Sequence, residues 1–446
     1  MSQRILFITP LPPPVHGSAM VSQYIKDSKL VNGQFDCDFV NLSTSRKMDE
    51  IGKGGAKKLL RFVGSYFALL YKLMTQRYDL CYLAITCHDK GFLKDAPFVL
   101  LCKLFRRKVL IHQHNKGMSG CVNQWPYRWL LPMVYRNTTV MLLSWHLYDD
   151  ISKVVGREQV VICANGIPQI TINDERLTIN DYGLTINENE NAGAEGGLIV
   201  AERQVNRNEA LVKSCEAAVK GNDDEETAVL YENEDENCHP DGEDAAELQT
   251  VVCCPLSVDS IEKEDVKLLF LSNLIESKGI YVLLDACKVL KERGLDFTCD
   301  FVGGESKAVS GEAFCEAIAE RGLADRVIYH GPQYGEDKGR FFTEADIFVQ
   351  PTFDDCFPLT LVEAMQYRLP IVSTDVGAIP DMIVEGVNGL MCQQRDVPSL
   401  VVALETLIKD GALRTRMGEQ GYARYKALYT LEAFEERFVE ALGFNV

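Results

Sequence analysis

Phe353-Asp-Asp-Cys-Phe-Pro-Leu-Thr-Leu-Val-Glu-Ala-Met365 carries an acidic pair, a Phe-Pro-Leu turn and then the opening of a helix that bears Glu363. A strand-like run, Asp346-Ile-Phe-Val-Gln-Pro351, feeds directly into it. Open α/β sheets bind their ligands beyond the carboxyl ends of the strands, so the amides and carboxylates of this turn are expected where such a sheet does its chemistry. A helix beginning there offers unpaired N–H groups to hydroxyls or phosphate.

Working outward, short β-rich runs alternate with helical ones on both sides of this stretch. Strands are expected at Ile5–Thr9, Cys37–Val40, Leu80–Ala84, Lys108–His112, Thr139–Leu143 and Val160–Cys163. They are expected again at Lys267–Leu271, Phe297–Val302, Val327–His330, Asp346–Gln350, Ile371–Ser373 and Gly389–Met391. Such alternation predicts parallel sheets wrapped by helices. The fold class is therefore α/β: two doubly wound, Rossmann-like domains facing a cleft, with an acidic insertion between them. Residues 1–168 form the N-terminal domain, 169–265 the insertion and 266–425 the C-terminal domain. From Val397 to Leu442 apolar positions such as Leu400, Leu404 and Leu407 recur at helical spacing, and residues 426–446 are expected as a helix packing back toward the N-terminal domain.

A chain of 446 residues suits two domains with full cores, and 46% hydrophobic with 25% charged residues is a soluble globular composition. The formal charge of -18 is local: residues 169–265 hold 25 Asp/Glu against 6 Lys/Arg, and the remainder is close to neutral. This segment, with Glu232-Asn-Glu-Asp-Glu-Asn237, buries little apolar surface and is expected as a partly disordered spacer, with a regulatory or calcium-binding role as the alternative. No EF-hand loop pattern occurs in it. The N-terminal run Met1–Pro10 predicts a buried strand rather than a secretion signal. The longest apolar window, Phe62–Met74, is interrupted by Lys72 and is too short to span a bilayer. Fifteen scattered cysteines without a Cys-x-x-Cys pair predict buried thiols in a reducing, cytoplasmic setting.

Six blocks in the second half carry a resemblance: Leu269-Phe-Leu-Ser-Asn-Leu-Ile-Glu-Ser-Lys-Gly279, Phe301-Val-Gly-Gly304, His330-Gly331, Ala345–Pro351, Cys356–Met365 and Thr374-Asp-Val-Gly-Ala-Ile-Pro-Asp381. In this order they resemble the donor domain of GT-B nucleotide-sugar glycosyltransferases, in particular the retaining family 4 of bacterial surface-polysaccharide synthesis. The first half matches through Pro12-Pro-Pro-Val-His-Gly17 and Asn165-Gly-Ile-Pro168. The resemblance implies transfer of a glycosyl unit from a UDP- or GDP-sugar to an acceptor hydroxyl with retention. The acceptor, a saccharide or lipid-linked, would bind the N-terminal domain and the donor nucleotide the C-terminal one. Nucleic acid is not an expected partner.

Lys278 with Gly279, just after a strand, offers a cation to a diphosphate leaving group that accumulates charge. The family's second cation falls at Asn273, so the resemblance assigns the diphosphate to Lys278, Asn273 and the His16–Gly17 loop, with Gly303 and Gly304 beside it. Asp355 and Glu363 match the spacing of the family's paired glutamates, the first shortened to Asp. By resemblance Glu363 accepts from the donor ribose and Asp355 lies near the sugar, with N–H groups from Phe357 and Leu359; Pro358 has none to give. A hydrolase-type acid/base pair is the competing chemistry. In Val109-Leu-Ile-His-Gln-His-Asn-Lys-Gly117, His112 and His114 share a strand face. A metal pair, a buried hydrogen-bonded histidine, and His114 as a catalytic residue touching sugar or acceptor all remain open. Asp36-Cys-Asp38 lies in a strand and Asp354-Asp355 is adjacent, so neither makes a metal-chelating loop; no metal or other cofactor is expected, protein cations and helix N-termini serving the phosphate. Between Arg46 and Lys108, 14 Lys/Arg against 5 Asp/Glu interleave with apolar runs, which fits either peripheral contact with an anionic membrane face or a solvated helix flank. Two rival functions stand beside transfer: a nucleotide-sugar 2-epimerase and a non-catalytic nucleotide-sugar-binding protein.

Overall fold

Each run read as a strand forms one, with ends shifted by no more than a residue. The structure is a computed structural model and describes residues 3–13, 17–43, 56–170 and 265–443. His16 and nearly all of the acidic insertion lie outside the described residues.

The first sheet holds β1 (Arg4–Thr9), β2 (Asp36–Asn41), β3 (Leu80–Ala84), β4 (Lys108–Gln113), β5 (Thr139–Leu142) and β6 (Val160–Ile162), in the order β2-β1-β3-β4-β5-β6. The second holds β7 (Val266–Leu271), β8 (Phe297–Val302), β9 (Val327–Tyr329), β10 (Ile347–Gln350), β11 (Ile371–Ser373) and β12 (Gly389–Met391), in the order β12-β11-β10-β7-β8-β9. All strand pairs are parallel. Helices cover both faces, which is why runs such as Ile5-Leu-Phe-Ile8 are apolar without alternation and fully buried.

Strand order fixes where a ligand can sit. In the first sheet the connection reverses direction between β1 and β3, and in the second between β7 and β10. A crevice opens at such a switch point, beyond the carboxyl ends of the two strands. The loop after β7 carries Lys278 and the loop after β10 carries Asp354–Pro358. One compact unit, residues 1–173 with 262–446, contains both sheets.

The helical tail divides into Val397–Lys409, Gly411–Leu428 and Leu431–Gly443. Asp396 and Asp410 start the first two by accepting the Ser399 and Leu413 N–H groups, the ordinary N-cap device. The last helix leaves the second domain and covers the first sheet: Phe434, Phe438 and Leu442 are buried with Ile5, Phe7 and Tyr82, the Tyr82 and Phe438 rings 5.4 Å apart. The segment after β6 crosses the other way. Ile167 N–H donates to the Tyr429 carbonyl at 3.0 Å, and the Gln366 amide bonds both Pro168 O and Ile170 N–H.

Candidate active site

Gly279 sets the position of Lys278. It takes φ 82°, and a Cβ on it would run into the Pro351 carbonyl at the end of β10. Glycine is thus required where the loop after β7 presses on the loop after β10. That contact is knitted by Phe353 N–H to Ser277 O at 2.8 Å and by the Thr352 hydroxyl to the same carbonyl at 3.0 Å. Lys278 Nζ then lies 2.5 Å from Asp355 Oδ2 and donates to Asp354 O at 3.1 Å. Asp355 is further held by its neighbour's Cys356 N–H at 2.8 Å and the Gln350 amide at 3.3 Å, while Gln350 Oε1 accepts from Thr360. A carboxylate with three donors is a fixed anchor for an ammonium group.

Glu363, one turn into the helix Leu359–Gln366, meets a cation that sequence reading missed. Lys338 Nζ lies 2.6 Å from both of its carboxylate oxygens. Tyr24, from the helix Gly17–Asp27 of the first domain, feels the same carboxylate: burial first and Glu363 second push its phenol above the ordinary range. The helix Leu359–Gln366 begins at Pro358 without a side-chain cap, its Leu361 N–H turning back to Pro358 O at 3.1 Å.

Lys278 and Asp355, but not the Lys338–Glu363 pair, border a cavity of about 330 Å³ between the facing strand ends. Its second-domain wall is Lys278, Asp354, Asp355, Cys356, Phe357 and Leu359; its first-domain wall includes Gly17, His88, His114, Lys116 and Asn165. Gly17 stands close to Leu359 across the cleft, where a Cβ would meet Leu359 at 3.8 Å. Lys116 Nζ reaches Asp354 across the cleft at 3.2 Å. A second bridge joins Ser144 Oγ to Asp381 Oδ2 at 2.5 Å, with His146 Nε2 3.3 Å from Oδ1. Asn165 is buried, and among the described residues its Oδ1 has no hydrogen-bond partner, an acceptor left over at the cavity wall.

The two histidines separate into different roles. His112 is fully buried with its ring 4.0 Å from that of His114. Its Nδ1 pairs with the Tyr82 hydroxyl at 2.6 Å, and burial, then His114, hold its pKa well below the usual value. His114 lines the cavity. Among the described residues no group of three or more His, Cys, Asp or Glu could hold a metal ion. Asp38, from the strand pair discounted above, bonds Lys72 and Tyr78 away from the cleft.

The remaining expected residues take supporting positions. Asn273 Oδ1 accepts the Gly304 N–H at 3.1 Å, tying the loops after β7 and β8 together. A Cβ on Gly303 would strike the Ser272 carbonyl, so that approach is closed to other residues. Phe357 is buried against Tyr429, rings 6.0 Å apart, which fixes the turn ahead of Pro358. At Cys356 burial, then the Asp355 carboxylate, raise the thiol to about 12, which disfavours the thiolate. Lys338 and Tyr24 have no motif around them, and Gln350 lies within the block Ala345–Pro351 with no role read for it. Lys116 stands within the His112–Gly117 run but shows its use only when the two sheets face each other.

The architecture resembles that of solved glycosyltransferase structures. Sucrose-phosphate synthase from Thermosynechococcus elongatus superposes with a TM-score of 0.62 over 99% of this chain and 98% of that one, at 15% identity. The fold is GT-B. The HepE protein of Anabaena, solved in complex with UDP-glucose, gives 0.61 over 99% of both chains, also at 15% identity. Residues 257–424 match the family model of the glycosyl transferases group 1. The amylovoran biosynthesis glycosyltransferase AmsK of Erwinia amylovora is 32% identical over 148 residues, 32% of this chain and 35% of that relative. The chain spans well under half the length of the curated relatives it first matches. No described helix is long and apolar enough to cross a membrane.

Proposed function

We propose that the protein transfers a glycosyl unit from a UDP- or GDP-sugar to an acceptor hydroxyl, with retention at the anomeric carbon, in the synthesis of a cell-surface polysaccharide or glycolipid on the cytoplasmic side. The observation that carries this reading is the pairing of Lys278 with Asp355 at the switch-point crevice of the segment that matches the group 1 model, facing His114, Lys116 and Asn165 across the cavity. A diphosphate entering here exchanges carboxylate for phosphate on Lys278, and Lys116 and the first N–H groups of the helix Leu359–Gln366 add to the charge that offsets the leaving group. Glu363 accepts from the donor ribose. Asn165 Oδ1 is placed to accept from a sugar or acceptor hydroxyl, and His114 lines the same cavity.

In the reaction the acceptor oxygen bonds to the anomeric carbon as the bond from that carbon to the phosphate oxygen breaks. The acceptor proton passes to the departing phosphate, on the same face of the sugar. The electrophilic help comes from ammonium and N–H groups, so this reading requires no metal. Complexes of HepE with UDP and with UDP-glucose support a nucleotide-sugar donor by likeness of fold alone.

One observation favours a second reading, a non-catalytic nucleotide-sugar-binding protein: Lys278 is already neutralised by an aspartate standing where the family has glutamate. Incubation with UDP- and GDP-sugars and a panel of acceptor alcohols, followed by NMR, separates the possibilities. Acceptor-dependent release of the nucleoside diphosphate with an unchanged anomeric configuration supports transfer. Isomerised donor without acceptor identifies an epimerase, and binding without turnover the non-catalytic protein.

A further inference from the structure

The helix Ala56–Thr75 turns an apolar stripe to solvent: Leu59, Leu60, Val63, Phe67, Tyr71 and Met74. All but Val63 are more than 60% exposed. At roughly 100° per residue the six fall within about a third of the helix circumference. The opposite problem, burying a core, is already solved by Leu69 and Leu73 on the adjoining arc. The helix Asp89–Leu104 packs beside it through Phe98, whose ring meets those of Phe62 and Tyr66 edge-on. Next in the same layer lies Tyr127–Tyr135, linked by Lys103 Nζ to the Met133 and Arg136 carbonyls. It exposes Trp129 and Met133, and Trp125 stands just before it. Exposed apolar surface shared by neighbouring helices marks an interaction site rather than scattered surface residues.

Charge says what covers it. Residues 51–78 hold six Lys/Arg and no Asp or Glu, and residues 96–148 hold seven Lys/Arg and no Asp or Glu. Both stretches belong to a chain whose net charge is -18. Arg128 is exposed beside the tryptophans, 5.0 Å from the Trp129 ring, and Arg106 and Arg136 are exposed just past the far ends of the helices Asp89–Leu104 and Tyr127–Tyr135. Asp38, paired with Lys72, and Asp89, near Tyr127, border the face, and its apolar side chains, interfacial tryptophan and surplus of cations fit an anionic bilayer surface. Parallel crossovers run each helix back from the carboxyl edge of the sheet, so Leu59, Leu60 and Trp125 lie at the cleft end of this face.

We infer that the face made by the helices Ala56–Thr75 and Tyr127–Tyr135 docks the protein on an anionic membrane surface, with the cleft opening at its edge. The inference goes beyond the transferase reading and needs none of its donor chemistry. Flotation of the full chain with phosphatidylcholine vesicles, with and without 30% phosphatidylglycerol, tests it. The wild type should float with the anionic vesicles and not with the neutral ones. Phe67→Glu with Tyr71→Glu, and separately Trp129→Glu, should each lower the bound fraction at least tenfold while leaving circular dichroism and melting temperature unchanged, since these side chains are exposed. Wild type left in the unbound fraction, or variants that float as well as it does, would overturn the inference. A wild-type dimer in sedimentation that the same variants dissociate would overturn it too, assigning the face to a second copy.

Discussion

Lys338 grips both oxygens of Glu363 from a helix with no motif of its own. An ammonium held this way fixes the carboxylate's rotamer, so its worth is in presenting Glu363 to a hydroxyl rather than in touching the reacting atoms. Lys338→Met should therefore raise the donor KM by roughly tenfold, about 1.4 kcal/mol of binding, with kcat little changed, and Lys338→Arg should restore most of it. Equal losses in kcat would place Lys338 at the chemistry instead. His112 gives a residue-scale prediction of another kind. Burial holds its folded pKa well below the usual value, so the unfolded chain takes up a proton near pH 6.5 that the folded site refuses. Stability is full above that pH and falls as pH drops below it, by at most about 1.4 kcal/mol per pH unit from this group. The drop in melting temperature between pH 7 and pH 5 should be smaller in His112→Phe than in the wild type, and NMR should find the wild-type ring neutral at pH 5.

Elements were legible wherever a local pattern dictated them. The strands announce themselves because parallel strands buried on both faces must be apolar throughout, and each domain's loops after its switch-point strands follow from that order. The pairing of Lys278 with the Asp355 loop was readable to the extent that both follow strands; that their strands β7 and β10 are neighbours is a property of the sheet. Lys338–Glu363, Lys116–Asp354 and Ser144–Asp381 were not readable, because their partners are brought together by sheet order and by the facing of two domains rather than by spacing. The last helix, Leu431–Gly443, shows what an element does at a distance. Phe438 is fully buried against Phe7 and Tyr82, so Phe438→Ala should cost about 3–5 kcal/mol in urea unfolding. A loss under 1 kcal/mol would mean the first sheet does not depend on this cover.

On the scale of the whole molecule, two Rossmann-like halves present their switch points to a common cavity and are bridged across it by Lys116–Asp354 and by Ser144 and His146 on Asp381. A nucleotide that takes Lys278 from Asp355 must therefore act on a site already spanned by both halves, and its binding energy appears as added stability. The most direct test is a thermal-shift panel of UDP, GDP, ADP and their sugar conjugates on the wild type and on Lys278→Ala. The account predicts that one nucleotide family raises the melting temperature of the wild type, by several degrees at a hundredfold excess over its Kd, and that the variant, equally folded, loses most of that shift. No shift with any of them, or a shift that Lys278→Ala leaves intact, would contradict it.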